Sequence, residues 1–367
     1  MFKLLFYLTI LIAFSCHPLV TRFNEIEDAI YYEDLTPSSE IFSDSLKVMT
    51  WNIRFSGGRV PWFGDSCGDR VLLTENEIMT NLNNIINFIN LENPDILLLQ
   101  EIDISSKRSV YLDQIQYIIN NTSFNFASYA SMWKTDLIPM NGLGKVDVGN
   151  AILSKWPITD ASRIQLSLRT DQDPVTQYFY LRRNMLKVKI DIPIDDFYVL
   201  NIHATAFATD NTKQKHIDEY YNQLNLENEL GHLFVSGGDL NSIPPDAQKY
   251  DYCEFDQCEE ELFHTINDIE GPHREGSYFN NFDGELSLLN PLYMKFYPAI
   301  NTNVKNDNIH FTHSQWNNNS ENEIYWDRKL DYLFTNIADW SETGKTHQEA
   351  FLLSDHAPIS AIIYFNQ

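Results

Sequence analysis

The stretch Leu233-Phe234-Val235-Ser236-Gly237-Gly238-Asp239-Leu240-Asn241-Ser242 decides how the rest of the chain is read. An apolar run enters two glycines, delivers an acid and an amide two positions apart, and closes at Pro244-Pro245. Side chains two apart on an extended chain share a face. A strand continuing past the glycines therefore presents Asp239 and Asn241 on one side. Glycine lets backbone or ligand come close where a side chain would obstruct. A carboxylate beside an amide is suited to deprotonating and holding a water. Taken alone, the stretch reads equally well as an Asx turn capping a buried strand.

Outward from it, residues 197–204 form an apolar strand that carries His203, and residues 211–224 a polar helix leading back to the 233 strand. Residues 46–54 (LKVMTWNIR) read as the first strand, with Trp51-Asn52 at its end. The clearest helix covers 74–90, where Ile78, Leu82, Ile85, Ile86 and Ile89 form one stripe. Thr74 caps its start and Pro94 stops it. Residues 95–101 follow as a buried strand ending in Glu101, so strand, helix and strand make a crossover unit. A second helix is expected over 110–120, and further strands at 149–154, 185–190, 329–336 and 359–364. The Gly- and Ser-containing loop 55–69 is expected to be exposed. Residues 248–325 are acidic, rich in Asn and Tyr and weakly periodic, and read as surface insertions. Their aromatic and apolar residues, among them Tyr278, Phe279, Phe282, Tyr293 and Phe296, suit either a substrate lip or a cover over the core. With no internal repeat and no clean linker, one domain is expected.

Polar groups recur where apolar strands end: Asn52, Glu101, His203, Asp239 with Asn241, Asp331, and Asp355 with His356. Each has a bland explanation, since a Glu can cap a strand and a lone His is more often a satisfied core residue. Asp331, inside the apolar RKLDYLF, is costly to bury unless paired or metal-bound. Strand ends along one sheet edge are where active sites collect. Carboxylates gathered there repel one another, and a divalent cation relieves that. Oxygen ligands with few histidines favour Mg²⁺ or Mn²⁺ over Zn²⁺. Two basic clusters, Arg182-Arg183 and Lys107-Arg108, are candidates for substrate contact.

The 367 residues carry a formal net charge of -25 and a pI near 4.6, with 43% hydrophobic and 13% aromatic residues. The core is therefore sizeable, and extended nucleic acid is disfavoured as a partner because duplex binders neutralise phosphates with a basic face. Such acidity also favours a soluble monomer. Residues 1–16 read as an export signal, with Lys3 ahead of an apolar core running to Ala13-Phe14-Ser15-Cys16. A small residue before Cys16 resembles a bacterial lipoprotein box, so a lipidated Cys16 would tether the protein to a membrane at the cell envelope. Ordinary secretion is the alternative. Residues 17–45 are then an acidic tether, and 46–367 the functional domain. Cys253 and Cys258 lie close enough in sequence to bridge in an exported protein, and Cys67 is left over.

The ordered set TWN, QE, GNAILS, NIH, GDLN, LDYLF and SDH resembles the endonuclease/exonuclease/phosphatase superfamily over about residues 46–365. That resemblance implies the deoxyribonuclease I-like fold, a four-layer α/β sandwich of two packed mixed β-sheets flanked by helices. It implies Glu101 as principal metal ligand, with Asn52 and Asp355 also tied to metal. Asp239 would orient or deprotonate the attacking water, and Asn241 would hold water and a phosphate oxygen. His356, paired with Asp331, would sit on the phosphate; His203 would stabilise the transition state, and Asn150 would add a phosphate donor. The implied reaction is Mg²⁺-dependent in-line hydrolysis of a phosphoester without a covalent enzyme intermediate. The chain departs from many relatives at Ala204-Thr205. Acidity and the membrane tether favour a phospholipid, sphingolipid or small organic phosphoester. A nuclease on extracellular DNA or RNA is the alternative, and a non-catalytic surface-binding lipoprotein a more distant one.

Overall fold

The computed structural model describes residues 19–35, 40–64, 68–194, 196–206, 208–248, 282–314, 326–337 and 340–365. Two seven-stranded sheets face each other. The first runs β13 (Lys345–Thr346), β14 (Ile359–Tyr364), β3 (Ser45–Asn52), β4 (Ile96–Asp103), β6 (Gly144–Ser154), β5 (Phe126–Ile138) and β2 (Ile30–Glu33). The second runs β1 (Ile26–Asp28), β7 (Ile158–Gln165), β8 (Asn184–Ile190), β9 (Phe197–His203), β10 (Leu233–Asp239), β12 (Asp331–Thr335) and β11 (Tyr297–Pro298). Each sheet has one parallel pair, β3 with β4 and β9 with β10, and is otherwise antiparallel.

A helix bridges each parallel pair, as parallel strands need a long crossover. Helix α1 (Glu75–Glu92) links β3 to β4. Its Thr74 accepts from Glu77 N while the Glu77 side chain accepts from Thr74 N, a capping box, and Asn93 ends it in a left-handed conformation. After it come α2 (Gln114–Ile119), α3 (Pro174–Phe179) and α4 (Thr212–Glu229), the last joining β9 to β10. The short α5 (Phe282–Leu288) and α6 (Asn290–Lys295) follow.

Period-two alternation builds the layers. Leu46 and Val48 of β3 pack between the sheets with Leu186, Val199, Val235 and Leu333 of the second sheet. Met49 and Trp51, one residue out of phase, face outward onto Leu82, Ile85 and Ile89 of α1. On the far side Ile202 and Phe234 pack on Ile217, Tyr220 and Leu224 of α4. Helices, sheet, sheet, helices: the four expected layers are present.

Several expectations change. Residues 26–33, read as part of a free acidic tether, form edge strands β1 and β2 that pair with β7 and β5 of opposite sheets. Their side chains are mostly exposed, so no apolar alternation marks them. The start of the 55–69 loop is buried rather than exposed, with Phe55 and Ser56 inaccessible. Phe55 lies under the Arg108 guanidinium, 3.8 Å from its ring centre. Helix α2 begins at Gln114, not 110, because Asp113 caps it by accepting from Gln116 N while Val110 and Tyr111 take positive φ. Part of the supposed surface insertion is core, since Leu288, Leu289, Leu292 and Phe296 join the cluster under α4. Cys16, Cys67, Cys253, Cys258, Tyr278 and Phe279 lie outside the described residues, as does the signal segment.

Candidate active site

Sheet register assembles the first half of the site. Asp239 at the end of β10 is the register partner of His203 on parallel β9 and of Asp331 on antiparallel β12. Three ionisable side chains thus occupy one row across three strands. The two glycines before Asp239 permit this. At Gly238, where φ is +134°, a Cβ would stand 1.9 Å from Ile202 O; at Gly237 it would stand 2.2 Å from Tyr332 O. Any other residue would push β10 away from one neighbour or the other.

The facing sheet supplies the second half. β3 ends at Asn52, register partner of Gln100 on parallel β4, and the β4–β6 register breaks between Leu99 and Ile102. Within that bulge Glu101 has φ of 56°, an arrangement that re-aims a side chain. The bulge is held from the opposite sheet. Asn201 on β9 donates from Nδ2 to Leu99 O and Ala151 O, both at 2.8 Å, and its Oδ1 accepts from Gln100 Nε2 at 2.7 Å. Sequence reading missed Asn201; a buried-looking amide inside the apolar run YVLNIH was its only signal.

Asn52 joins the two halves. Its Nδ2 donates to Asp239 Oδ2 at 3.2 Å and reaches Glu101 Oε1 at 3.4 Å, while its Oδ1 accepts from Arg54 N at 3.1 Å. The Arg54 N–H needs an acceptor, which fixes the amide with its nitrogen toward the carboxylates. Asn52 thereby steadies the acids, its amide nitrogen toward Asp239 and Glu101 and its oxygen on Arg54 N. His203 Nε2 lies 3.3 Å from Asp239 Oδ2 and 3.9 Å from Glu101 Oε1. His356 donates from Nδ1 to Asp331 Oδ2 at 2.8 Å and turns Nε2 toward Asp239 Oδ2 at 3.8 Å. Trp51 Nε1 donates to His356 O at 2.9 Å and Ser354 Oγ to Asn52 O at 2.7 Å, anchoring the SDH segment on β3.

Charge follows from this packing. Burial, then Asp331 opposite, pushes the Asp239 carboxyl up, while His356 pulls the other way. Burial works against a charged His356, yet the Asp331 and Asp239 carboxylates together hold it well above the usual imidazole range. His203 goes the other way, lowered by burial and by the nearby Arg183, His356 and His216. The site thus combines a charged and a neutral imidazole around one strained carboxylate.

The remaining expected residues divide. Asn241, at φ 47°, donates its backbone N–H to Asp239 Oδ1 at 2.9 Å, so the Asx turn and the site coexist. Its Nδ2 donates to Ala204 O at 3.1 Å. Asp355 is drawn to Arg54, whose Nε lies 3.3 Å from its Oδ2; against burial, Arg54 holds that carboxyl low. A metal-ligand role for it gains nothing from this geometry. Asn150 donates from Nδ2 to both Asn184 O and Asn184 Oδ1, at 3.1 and 3.2 Å, which ties its donor to the scaffold rather than to a phosphate. Of the basic clusters, Arg108 is buried against Asp103 at 2.9 Å and Arg182 bonds the Tyr178 and Tyr180 carbonyls. Arg183 reaches the site, donating to His203 O at 3.3 Å.

The donor set suits a hard divalent cation. Ligand atoms of Asp239, Asp331 and His356 lie within 4.8 Å of one another, and Glu101 joins Asp239 through Asn52. Asp331 Oδ1 is buried without a hydrogen-bond donor, the kind of oxygen a cation satisfies. Oxygen-rich donors of this sort match Mg²⁺ or Mn²⁺.

The sequence model of the Endonuclease/Exonuclease/phosphatase family matches residues 49–356. The crystal structure of an endonuclease/exonuclease/phosphatase from Beutenbergia cavernae DSM 12333 is similar at a TM-score of 0.52 and 16% identity, covering 87% of this chain and 71% of that one. A family protein from Leptotrichia buccalis C-1013-b is similar at 0.50 and 13%, covering 86% and 98%. At such identities the likeness shows the fold alone. No curated protein matches the chain in sequence.

Proposed function

The chain belongs to the endonuclease/exonuclease/phosphatase family, whose members are generally divalent-metal-dependent hydrolases of phosphoester bonds, and on that premise we propose that this protein hydrolyses a phosphoester with Mg²⁺, or Mn²⁺ in its place. One observation carries the reading. Asn52 Nδ2, His203 Nε2 and His356 Nε2, from three separate segments, converge on a single oxygen, Asp239 Oδ2. Donors gathered around one raised carboxylate suit a reaction in which a water attacks phosphorus and negative charge develops there.

In this proposal Asp239 accepts the proton of the attacking water, and its raised affinity for protons suits a base. Asn241, fixed by its turn on Asp239, orients that water. His356, kept charged by Asp331, and neutral His203 donate to the phosphoryl oxygens as charge builds. Glu101 would hold the metal, with Asn52 steadying its carboxylate. A divalent cation there supplies Lewis-acid charge neutralisation. Asp355 and Arg54 brace the SDH segment, and no Ser or Cys nucleophile is needed.

For substrate, the net charge of -25 supports a phospholipid, sphingolipid or small organic phosphoester over extended nucleic acid. Export by residues 1–16, with Cys16 lipidated at the cell envelope, is part of the proposal and rests on the sequence alone. So does the organisation into signal, tether and functional domain, with residues 26–33 belonging to the domain's sheets rather than to the tether.

The test is hydrolysis by purified protein of a bis-aryl phosphodiester, plasmid DNA, RNA, sphingomyelin and inositol phosphates, with Mg²⁺, with Mn²⁺ and with chelator. Chelator-sensitive cleavage of a lipid or small ester is the expected result. Cleavage confined to DNA or RNA would replace the substrate class with the nuclease alternative. Silence across the panel would move the protein to the binding-lipoprotein alternative.

A further inference from the structure

Beside the site lies a cavity of about 350 Å³ that the chemistry above does not use. Ile243 and Pro244, just past Asn241, form part of its wall, and Arg328, Lys329 and Asp307 line it as well. It adjoins the reaction centre through the backbone, since Leu240 N donates to Leu330 O at 2.9 Å, between Lys329 and Asp331.

Lys329 is the informative residue. It is 2% exposed, yet among the described residues its ammonium group has no hydrogen bond and no ion pair. The Tyr332 ring stands 5.1 Å from Nζ; burial and then Lys305 work against the charged ammonium, and Asp331 works for it. The other charges around the cavity are accounted for differently. Arg328 is paired with Asp327 through two contacts of 2.8 Å. Lys305 lies 3.5 Å from Asp246. Asp307 is near enough to line the same space but forms no ion pair with Lys329. An unpaired buried ammonium is costly unless an anion compensates it. In a chain this acidic, a buried lysine with no ion-pair partner among the described residues, lining a cavity beside a phosphoesterase-like centre, is a group that an anion from outside would complete.

Resting on the hydrolase reading above, we propose that this cavity is an anion subsite in which Lys329 receives a second phosphate of the substrate. Preferred substrates are then small organic phosphoesters carrying two phosphate groups, one attacked beside Asp239 and the other held by Lys329. The volume accommodates a phosphate with part of its carrier, within the range of ligand pockets. It does not accommodate a duplex.

The experiment compares a nucleoside p-nitrophenyl phosphodiester with the same ester bearing a second phosphate on its sugar. Wild type is expected to favour the doubly phosphorylated ester by about tenfold or more in kcat/KM. Lys329→Met should remove most of that preference and Lys329→Arg should retain part of it. Because the readout is a ratio between two substrates, a general loss of activity in a variant cancels. No preference in wild type, or an undiminished one in Lys329→Met, overturns the subsite. Turnover of neither ester indicts the hydrolase reading instead, and the subsite is then judged by calorimetry with inorganic phosphate on folded protein. Binding weakened by about tenfold or more in Lys329→Met supports it; equal binding, or none in wild type, overturns it.

Discussion

Asp239 and Asp331 stand directly opposite each other across the antiparallel pair β10–β12, both buried. Like charges so placed destabilise a sheet. His356 makes the pairing tenable by donating to Asp331 Oδ2 at 2.8 Å while its other nitrogen faces Asp239 Oδ2 at 3.8 Å. Burial first and this opposition with it raise the Asp239 carboxyl, and the two carboxylates together charge the imidazole, the two conditions that the proposed reaction requires.

Asp239→Ala and His356→Ala should each lower kcat/KM by about a thousandfold, the scale of losing an acid–base or charge-stabilising group. Circular dichroism should remain that of the wild type. A folded variant with wild-type rates would dismantle the site.

Asp331→Asn should move the alkaline limb of the pH–rate profile to lower pH. Asp331, with Asp239, holds His356 above its ordinary range, so removing that carboxylate lets His356 lose its proton sooner as pH rises. Activity that needs the charged imidazole then fades earlier, while at acid pH the two enzymes converge in form. An unmoved limb would show that His356 need not be charged.

Asn201→Leu should destabilise the fold by about 1–3 kcal/mol, because it removes a buried donor from Leu99 O and Ala151 O and one of the acceptors of Gln100 Nε2. Urea unfolding measures that. It should also raise the Mg²⁺ concentration needed for half-maximal activity, since the bulge that aims Glu101 loses its support. Lost stability with an unchanged Mg²⁺ requirement would restrict Asn201 to a packing role.

Asp327→Asn should cost about 3 kcal/mol at neutral pH, the scale of breaking a buried pair by removing one partner. Burial opposes ionisation of Asp327, but Arg328 and His313 hold its carboxyl well below the usual range. A lowered folded value gives stability that is complete above the unfolded value of about 3.9 and is lost as pH falls through the folded one. The gap between wild type and variant, read by denaturation at several pH values, should therefore narrow only in strong acid. A gap independent of pH would mean that the pair contributes by packing alone.

Much of the fold was legible because burial imposes a period. The α1 stripe from Ile78 to Ile89, its Thr74 cap and the flanking apolar strands are local facts, and the structure places them as read. β1 and β2 were illegible for the converse reason: edge strands with exposed side chains carry no alternation. The buried 55–58 turn looked like loop because Gly and Ser are ambiguous between exposure and close packing.

What the sequence determined by itself was which side chains stand at strand ends, since an apolar run that stops at Asn52, Glu101, His203 or Asp239 needs no partner to be noticed. What only the tertiary structure decided was which of those ends meet, and through which atoms. Register across three strands put His203, Asp239 and Asp331 in one row. A hydrogen bond from Arg54 N turned the Asn52 amide toward the acids, and the Arg54 side chain drew Asp355 away. Asn150 went to Asn184, and Lys329 was left buried with no ion-pair partner among the described residues. Each of these depends on groups that are distant along the chain. The strength and direction of a hydrogen bond or ion pair depend on distance, orientation and burial, and these exist only once the two sheets have packed.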